Sequence, residues 1–335
     1  MNTRLPSNTM PVHAACFGKL PSQPDFVRDS RHPRLEAWID RWLSQALESA
    51  ASDAHWKRLY DSAPALDFAV LGPASPIAVA GHLRPSRDAA GRRFPFAVAL
   101  QCDSTMPRLR AARAPLVFAR TWQRCAEAAG RAAARPLRPA AVVEHELAAL
   151  RVPEPWDYEA SCADHAALET LGGLEARLHP AHPEIDLRAT LLALGALLQP
   201  LARRGAGVPA RGLSLPLPST AAEQPVVAAW WTSLVADALG AAGHDWLLLR
   251  PGGGAGASPR LLLEFSGACA EALQAAWDPH RCAERYVDLA APAWAEAVAE
   301  RNEHTRRLAA YLNHGSLSLA LAAASWREAF AADGP

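Results

Sequence analysis

The stretch ALDFAVLGPASPIAVAGHLRPSRDAAGRRFPFAVALQ, residues 65–101, contains three short apolar runs separated by turn residues. Glycine and proline interrupt the runs at Gly72-Pro73, at Pro85 and at Gly91. Apolar runs of this length, bounded by such residues, are typical of short strands joined by tight connections. The stretch therefore predicts a three-stranded meander, and with it a β-sheet at the centre of this part of the chain.

The segment RPSRDAAGRR, residues 84–93, forms the turn between the last two predicted strands. Asp88 and Gly91 can shape this turn, because aspartate bonds nearby backbone groups and glycine tolerates a positive φ. Phe94-Pro95 is an unusual way to begin a strand, and proline fits best at the first strand residue. An ordinary hairpin with flanking charges is the alternative interpretation.

A second loop, FGKLPSQPDFVR at residues 17–28, follows an apolar run that predicts a buried strand over residues 12–17. Gly18-Lys19 invites comparison with a phosphate-binding loop. That motif requires glycine where His13 stands, and serine or threonine where Leu20 stands. The prolines that follow also prevent an immediate helix N-terminus, at which a phosphate would bind. The sequence therefore argues against a nucleotide site here.

The segment HPRLEAWIDRWLSQALESA, residues 32–50, places its apolar residues at helical spacing and predicts an amphipathic helix. Trp38 and Trp42 lie on the apolar stripe and are interpreted as core anchors. Further helices are predicted over residues 115–134, 185–202, 225–239, 292–313 and 316–332. Further strands are predicted over residues 212–218, 245–250, 260–265 and 285–290.

Residues 137–180 show little periodicity and are interpreted as loop and short helix. We therefore place a boundary near residue 136. The predicted organisation is a flexible N-terminus over residues 1–10, an α/β domain over 11–136, and a C-terminal α/β portion over 137–335. The second portion is expected to pack on the first as one compact unit.

The composition is that of a globular protein, with 34 basic and 34 acidic residues among 335. This balance gives no indication of nucleic-acid binding, which usually requires a basic patch. The six cysteines form no close pairs and are interpreted as reduced thiols of a cytoplasmic protein. No stretch predicts a membrane span, because the most apolar one is short and contains Pro200.

No complete catalytic, cofactor or metal motif occurs in the sequence. His145-Glu146 begins an HExxH pattern, but alanine stands at position 149. His179, His182 and Cys162 match no standard zinc spacing. We therefore predict no catalytic residues, no cofactor and no metal, although an active site assembled in space from distant residues stays open as an alternative.

Both loops resemble the signatures of the TagF (ImpM) family of type VI secretion-associated proteins. The first signature corresponds here to Gly18, Lys19, Leu20, Pro21, Asp25, Phe26 and Val27. The second corresponds to Pro85, Ser86, Asp88, Gly91, Arg92, Phe94 and Pro95. The tryptophan-containing helix between them also resembles the family, and the resemblance covers about residues 11–130.

The resemblance implies an α/β fold, a three-layer α/β/α sandwich with a mixed β-sheet, extended here by additional C-terminal helices. It implies a non-enzymatic, post-translational repressor of type VI secretion that binds the system's forkhead-associated scaffold protein. Inner-membrane components of the apparatus are further candidate partners, and recruitment to that membrane complex follows from them. The alternatives are a structural or assembly component of the apparatus, and an enzyme with a spatially assembled site.

The two signature loops are expected to meet in space, with Asp25 paired to Arg92 or Arg28. Phe26 and Phe94 are the candidate apolar anchors for a partner. The charged candidates for partner contacts are Lys19, Arg92 and Arg93. The competing interpretation is that the signature residues serve only the fold.

Overall fold

A computed structural model describes most of the chain. It covers residues 9–10, 12–28, 32–72, 77–103, 106–134, 137–202, 207–240, 244–253 and 257–331. Of the predicted flexible N-terminus, residues 1–8 lie outside the described residues. Thr9–Met10 form a short strand that pairs with Val152–Pro153.

Within these ranges the chain forms eleven strands and fourteen α-helices. The strands are β1 (Thr9–Met10), β2 (Val12–Gly18), β3 (Val27–Arg28), β4 (Leu66–Leu71), β5 (Ile77–Arg84), β6 (Phe96–Asp103), β7 (Val152–Pro153), β8 (Gly212–Pro216), β9 (Trp246–Pro251), β10 (Arg260–Glu264) and β11 (Tyr286–Asp288). The helices are α1 (Pro33–Ala50), α2 (Trp56–Ser62), α3 (Pro107–Val117), α4 (Ala119–Ala134), α5 (Pro139–Leu147), α6 (Glu159–Leu168), α7 (Leu171–Leu178), α8 (Leu187–Leu198), α9 (Gln224–Leu239), α10 (Ala270–Trp277), α11 (Pro279–Arg285), α12 (Ala295–Ala299), α13 (Glu303–Leu312) and α14 (Leu319–Ala331).

Nine strands form one mixed sheet in the order β11-β8-β10-β9-β4-β5-β6-β2-β3. All neighbouring strands are antiparallel except β8 and β11, which are parallel. The predicted meander is confirmed as β4-β5-β6, and strands from both portions of the chain meet where β4 pairs with β9.

Helices cover both faces of the sheet, which confirms the predicted α/β sandwich with C-terminal helices. On one face, α1 and α10 pack over the sheet in a core that contains Trp42 and Phe68. On the other face, α8, α9 and α14 enclose a larger core that contains Trp231 and Trp326. A third cluster joins α4 and α5 to β2 and β6.

The leucine runs in β9 and β10 explain how the sheet serves both cores. Leu247 and Leu249 contribute to the core under α1 and α10, whereas Leu248 contributes to the opposite core. Successive side chains of a strand point to opposite faces, so a strand covered on both sides needs an unbroken apolar run. This confirms the expectation that these two strands are buried on both faces.

A polar network crosses the sheet where its two halves join. Asp67 on β4 accepts a hydrogen bond from Arg250 on β9, and His82 on β5 lies 2.8 Å from the same carboxylate. The Arg250 guanidinium also lies over the Trp122 ring, 5.4 Å from its centroid. These contacts hold β4 and β9 together in addition to their backbone ladder.

Several helices differ from the sequence predictions. The helix predicted to start at residue 115 starts at Pro107, and the chain turns at Phe118 between α3 and α4. The helix predicted over residues 292–313 is divided into α12 and α13, because Asn302 caps α13 by accepting the Thr305 backbone N–H at 2.9 Å. Helices α2, α10 and α11 were not predicted.

Candidate functional site

The two signature loops lie side by side at one end of the sheet. The first loop leaves β2 after Gly18, and the second connects β5 to β6. Gly18 pairs with Phe96 in the antiparallel register of β2 and β6, so the end of one strand faces the start of the other. The expectation that the two signatures meet in space is confirmed.

A buried ion pair connects the two loops. The Lys19 Nζ lies 3.0 Å from Asp88 Oδ2, and the two side chains are 8% and 0% exposed. Burial alone would raise the pKa of the Asp88 carboxyl. Hydrogen bonds from Lys19 and from both the backbone and the side chain of Arg92 outweigh it, and the pKa of Asp88 lies well below its usual range.

Asp88 also holds its own turn together. Its Oδ1 accepts the backbone N–H groups of Ala90 at 3.0 Å and of Arg92 at 2.9 Å, and its Oδ2 accepts the Arg92 Nε at 2.7 Å. Gly91 completes the turn with φ +80°, a conformation that L side chains rarely adopt. The sequence-based roles of Asp88 and Gly91 in shaping this turn agree with these contacts.

Two further hydrogen bonds join the loops at their tips. The Arg92 Nη2 donates to the Pro24 carbonyl at 2.9 Å, and the Ala89 backbone N–H donates to the Gln23 carbonyl at 2.9 Å. The expected pairing of Asp25 with Arg92 or Arg28 is wrong, because Asp88 holds the Arg92 guanidinium and, among the described residues, the nearest carboxylate to Arg28 is that of Glu36, at 3.9 Å. The Asp25 carboxylate instead accepts the neighbouring Phe26 backbone N–H at 2.8 Å.

Three aromatic rings pack beneath the loops. Phe17 and Phe26 stack with centroids 5.2 Å apart, and Phe94 meets both edge-on at 5.7 and 4.9 Å. The Lys19 ammonium lies 4.9 Å from the centroid of the Phe26 ring. Edge-to-face and offset arrangements of this kind stabilise aromatic clusters beyond the area that they bury.

Tyr60 on α2 supports the second loop, and sequence reasoning missed it. Its hydroxyl donates to the Ser86 carbonyl and accepts the Ser86 backbone N–H, both at 2.9 Å. Burial raises the pKa of Tyr60, so the phenol stays protonated and keeps donating. No local pattern links α2 to this loop, and only the tertiary fold brings them together.

The signature residues divide into three groups by exposure. Buried members, which serve the fold, are Gly18, Lys19, Leu20, Val27, Asp88, Phe94 and Pro95. Half-buried members are Phe26, Pro85 and Ser86. Exposed members are Pro21, Asp25, Gly91 and Arg92. Together with the exposed Pro24 and Arg87, these exposed residues form a surface that we call the signature rim.

The geometry at this end of the sheet limits which side chains can contact a partner or hold a metal ion. The Lys19 ammonium points at a carboxylate, and Phe94 is only 7% exposed, so neither side chain is presented to a partner. No group of three or more residues of the metal-ligating types is arranged to hold an ion within the described ranges. The rim therefore offers a contact surface of carboxylate, guanidinium and proline groups.

The comparisons with known proteins place this part of the chain in a defined class. Residues 15–150 match a family model for type VI secretion system-associated proteins. That model describes the TagF N-terminal domain, so residues 15–150 are similar to this domain, and the resemblance of the two signatures to the family is confirmed.

One solved structure and the curated proteins complete the comparison. The crystal structure of PA0076 from Pseudomonas aeruginosa PAO1 is 25% identical in sequence, with a TM-score of 0.31. The match covers 42% of this chain and 64% of that one, so it spans less than two thirds of that protein. No curated protein matches the chain. No helix in the part of the chain that the structure describes is long and apolar enough to cross a membrane.

Proposed function

We propose that this protein represses type VI secretion after translation, by stoichiometric binding to the forkhead-associated scaffold protein of the system. The observation that carries the proposal is the signature rim. Its two loops are locked together by the Lys19–Asp88 pair and by the Arg92 bond to Pro24, while their tips stay exposed. The type VI secretion-associated TagF N-terminal domain supports the same reading.

A rigid exposed surface is suited to binding because little conformational entropy is lost when a partner docks. Two contacts beneath the rim hold the second loop in shape: Asp88 accepts backbone N–H groups of its own turn, and Tyr60 bonds the Ser86 backbone. The exposed side chains of Asp25 and Arg87 make no hydrogen bond between the two loops. The Arg92 side chain does, but it is still exposed. These three side chains would fix the orientation of the partner by charge.

Sequestration needs only moderate affinity when both proteins are present at similar abundance. A dissociation constant of about 1 μM corresponds to about −8 kcal/mol, which an interface of standard size supplies. Binding at this strength acts through occupancy and requires no chemical turnover. We further propose that this protein acts in the cytoplasm and is recruited to the inner-membrane secretion complex, as the family resemblance implies.

Affinity purification of the tagged protein from its own cytosol tests the proposal, with and without the gene for the scaffold protein. The informative variant is Arg87→Glu, which reverses one exposed rim charge whose side chain makes no hydrogen bond within the described residues. Arg306→Glu on α13 is the matched control, because it is equally exposed and lies in the C-terminal helices. Co-purification should fall at least about tenfold for Arg87→Glu and stay unchanged for Arg306→Glu.

The proposal fails if the scaffold protein is absent from the purified material at matched expression. Equal losses for the two variants would also contradict the role of the rim, while leaving the partner assignment intact.

A further inference from the structure

A cavity of about 820 Å³ lies between the sheet and helices α10 and α11, with Leu59 and Ser62 of α2 also in its wall. Small-molecule sites in proteins usually have volumes of a few hundred to about 1,000 Å³. Its wall is mostly apolar and includes Leu262 on β10 and Trp277 at the end of α10. The cavity is built from elements outside the signature loops, so its role is independent of the function proposed above.

A buried serine lies on the sheet face that floors this cavity. Ser214 on β8 lies between Leu213 and Leu215, which both belong to the opposite core. Alternation along the strand therefore points Ser214 toward α10 and α11. In register it stands beside Leu262 on one side and Asp288 on the other.

The Ser214 hydroxyl makes no hydrogen bond to the described residues. Two further polar groups of the cavity wall, the Trp277 indole N–H and the Tyr286 hydroxyl, are buried and have no hydrogen-bond partner among the described residues. A buried hydroxyl group normally has a hydrogen-bond partner in the protein, a water molecule or a ligand, because a buried hydroxyl without a hydrogen bond is unfavourable. Ser214 lines the cavity, so a molecule inside it can supply the missing acceptor or donor.

Charged groups surround the same space. Arg260 on β10 lies 4.0 Å from Asp288, a loose contact, and it also interacts with the Cys282 thiol on α11. Arg211 donates through Nη2 to the carbonyls of Ala283 and Tyr286, and its Nε and Nη1 bond no other described residue. Guanidinium groups with spare donors recognise carboxylates and other anions well.

We infer that this cavity binds a small amphipathic carboxylate, with its apolar body against Leu262 and Trp277 and its acid group between Ser214, Arg260 and Arg211. Two arginines and one aspartate line the wall, so its net charge is one positive unit. That charge matches a carboxylate better than a phosphate, which carries more negative charge. The partly exposed side chains of Arg260 and Asp288 mark the mouth toward solvent.

Octanoate is the probe, and 1-octanol, which has the same chain length and no charge, is its control. Calorimetric titration of the full chain should show saturable octanoate binding, and binding of 1-octanol at least about tenfold weaker. Arg260→Met should weaken octanoate binding about tenfold and Ser214→Ala about fivefold. Arg306→Met, far from the cavity wall, should leave it unchanged.

Protection of a cysteine locates the bound molecule and does not depend on variants that could fold poorly. Cys282 lines this cavity and Cys162 lines a separate one, and burial raises the pKa of both thiols. Octanoate should slow alkylation of Cys282 by iodoacetamide at least about fivefold, with less than a twofold change at Cys162. Binding weaker than about 1 mM, equal binding of 1-octanol, or equal effects on the two cysteines would overturn the inference.

Discussion

Gly18 lies against Pro95 so closely that a Cβ on Gly18 would stand 1.9 Å from the Pro95 carbonyl oxygen. Both residues belong to the family signatures, one in each. Gly18 also has φ +135°, which L side chains rarely adopt. The end of β2 can therefore approach the start of β6 only if position 18 is glycine.

Gly18→Ala should destabilise the fold by about 3 kcal/mol or more, because backbone strain and steric overlap act together. Gly91→Ala is the matched control, since Gly91 has φ +80° but open space around it, and it should cost about 1 kcal/mol. Urea denaturation measures both. Losses of equal size would show that the contact with Pro95 is unimportant.

Lys19→Met should lower the melting temperature by several degrees, because it removes the buried one of the two cations that contact the buried Asp88 carboxylate. Adding Asp88→Asn removes that charge, so the double variant should be more stable than Lys19→Met alone. Differential scanning calorimetry of the wild type, the two single variants and the double variant gives the coupling energy between Lys19 and Asp88. A double variant that is less stable than Lys19→Met would contradict this account of the pair.

Asp25→Ala should change the free energy of unfolding by less than about 1 kcal/mol. Asp25 is exposed, and its carboxylate bonds only the next backbone N–H among the described residues. The same urea assay applies, with Asp88→Ala as the comparison that should cost far more. A large loss of stability for Asp25→Ala would mean that the hydrogen bond from the Phe26 backbone N–H to Asp25 holds the whole first loop in shape.

His182 should make stability depend on pH in the neutral range. Burial lowers its pKa, while bonds from Nε2 to the Pro259 and Leu217 carbonyls at 2.9 and 3.1 Å act in the opposite direction, with Arg260 and Asp288 as the nearby charges. The unfolded chain therefore binds a proton near pH 6.5 that the folded chain refuses. The stabilising contribution is present above pH 6.5 and is lost as the pH falls below it.

His182→Gln keeps an N–H donor at this position but does not titrate. Its free energy of unfolding relative to the wild type should therefore improve as the pH is lowered from about 7.5 to about 5.5. Urea denaturation across that range measures the difference, and subtracting the two curves removes the contribution of the other histidines. A difference that is constant with pH would contradict the assignment.

Graded expression of the protein should give graded repression of secretion, with a threshold near the abundance of the scaffold protein. This follows because sequestration depends on occupancy. Effector export and the levels of the apparatus proteins are measured together, and only export should fall. Complete silencing by trace amounts, or unchanged export on overexpression, would exclude a stoichiometric mechanism.

The sequence was sufficient to predict the meander, the first helix and the strands of the C-terminal portion. Apolar runs between glycine and proline, and the helical stripe through Trp38 and Trp42, are local signals. The turn roles of Asp88 and Gly91 were predictable for the same reason. The pairing of Asp88 with Lys19 and the support of Ser86 by Tyr60 were not, because those contacts depend on sheet register and on a helix without a local signature.

The cavity around Ser214 lay beyond sequence reasoning. A serine between two leucines looks like an ordinary strand residue until the strand's two faces are known. Helices α10 and α11, which close the space above it, were not predicted, since α11 has only seven residues and begins at Pro279, directly after its cap residue Asp278. Short helices of this kind take their stability from tertiary packing.

The pairing of β4 with β9 has a consequence for synthesis of the chain. Leu71 pairs with Trp246 and Leu66 with Pro251, so β4 leaves the ribosome long before the strand that covers its edge. At about 5–20 residues per second the wait lasts roughly 10 to 35 s. During that time the meander carries an uncovered edge open to pairing with other chains. A nascent chain released before residue 251 would therefore be prone to aggregation, and the newly made protein would depend on chaperones through most of its translation.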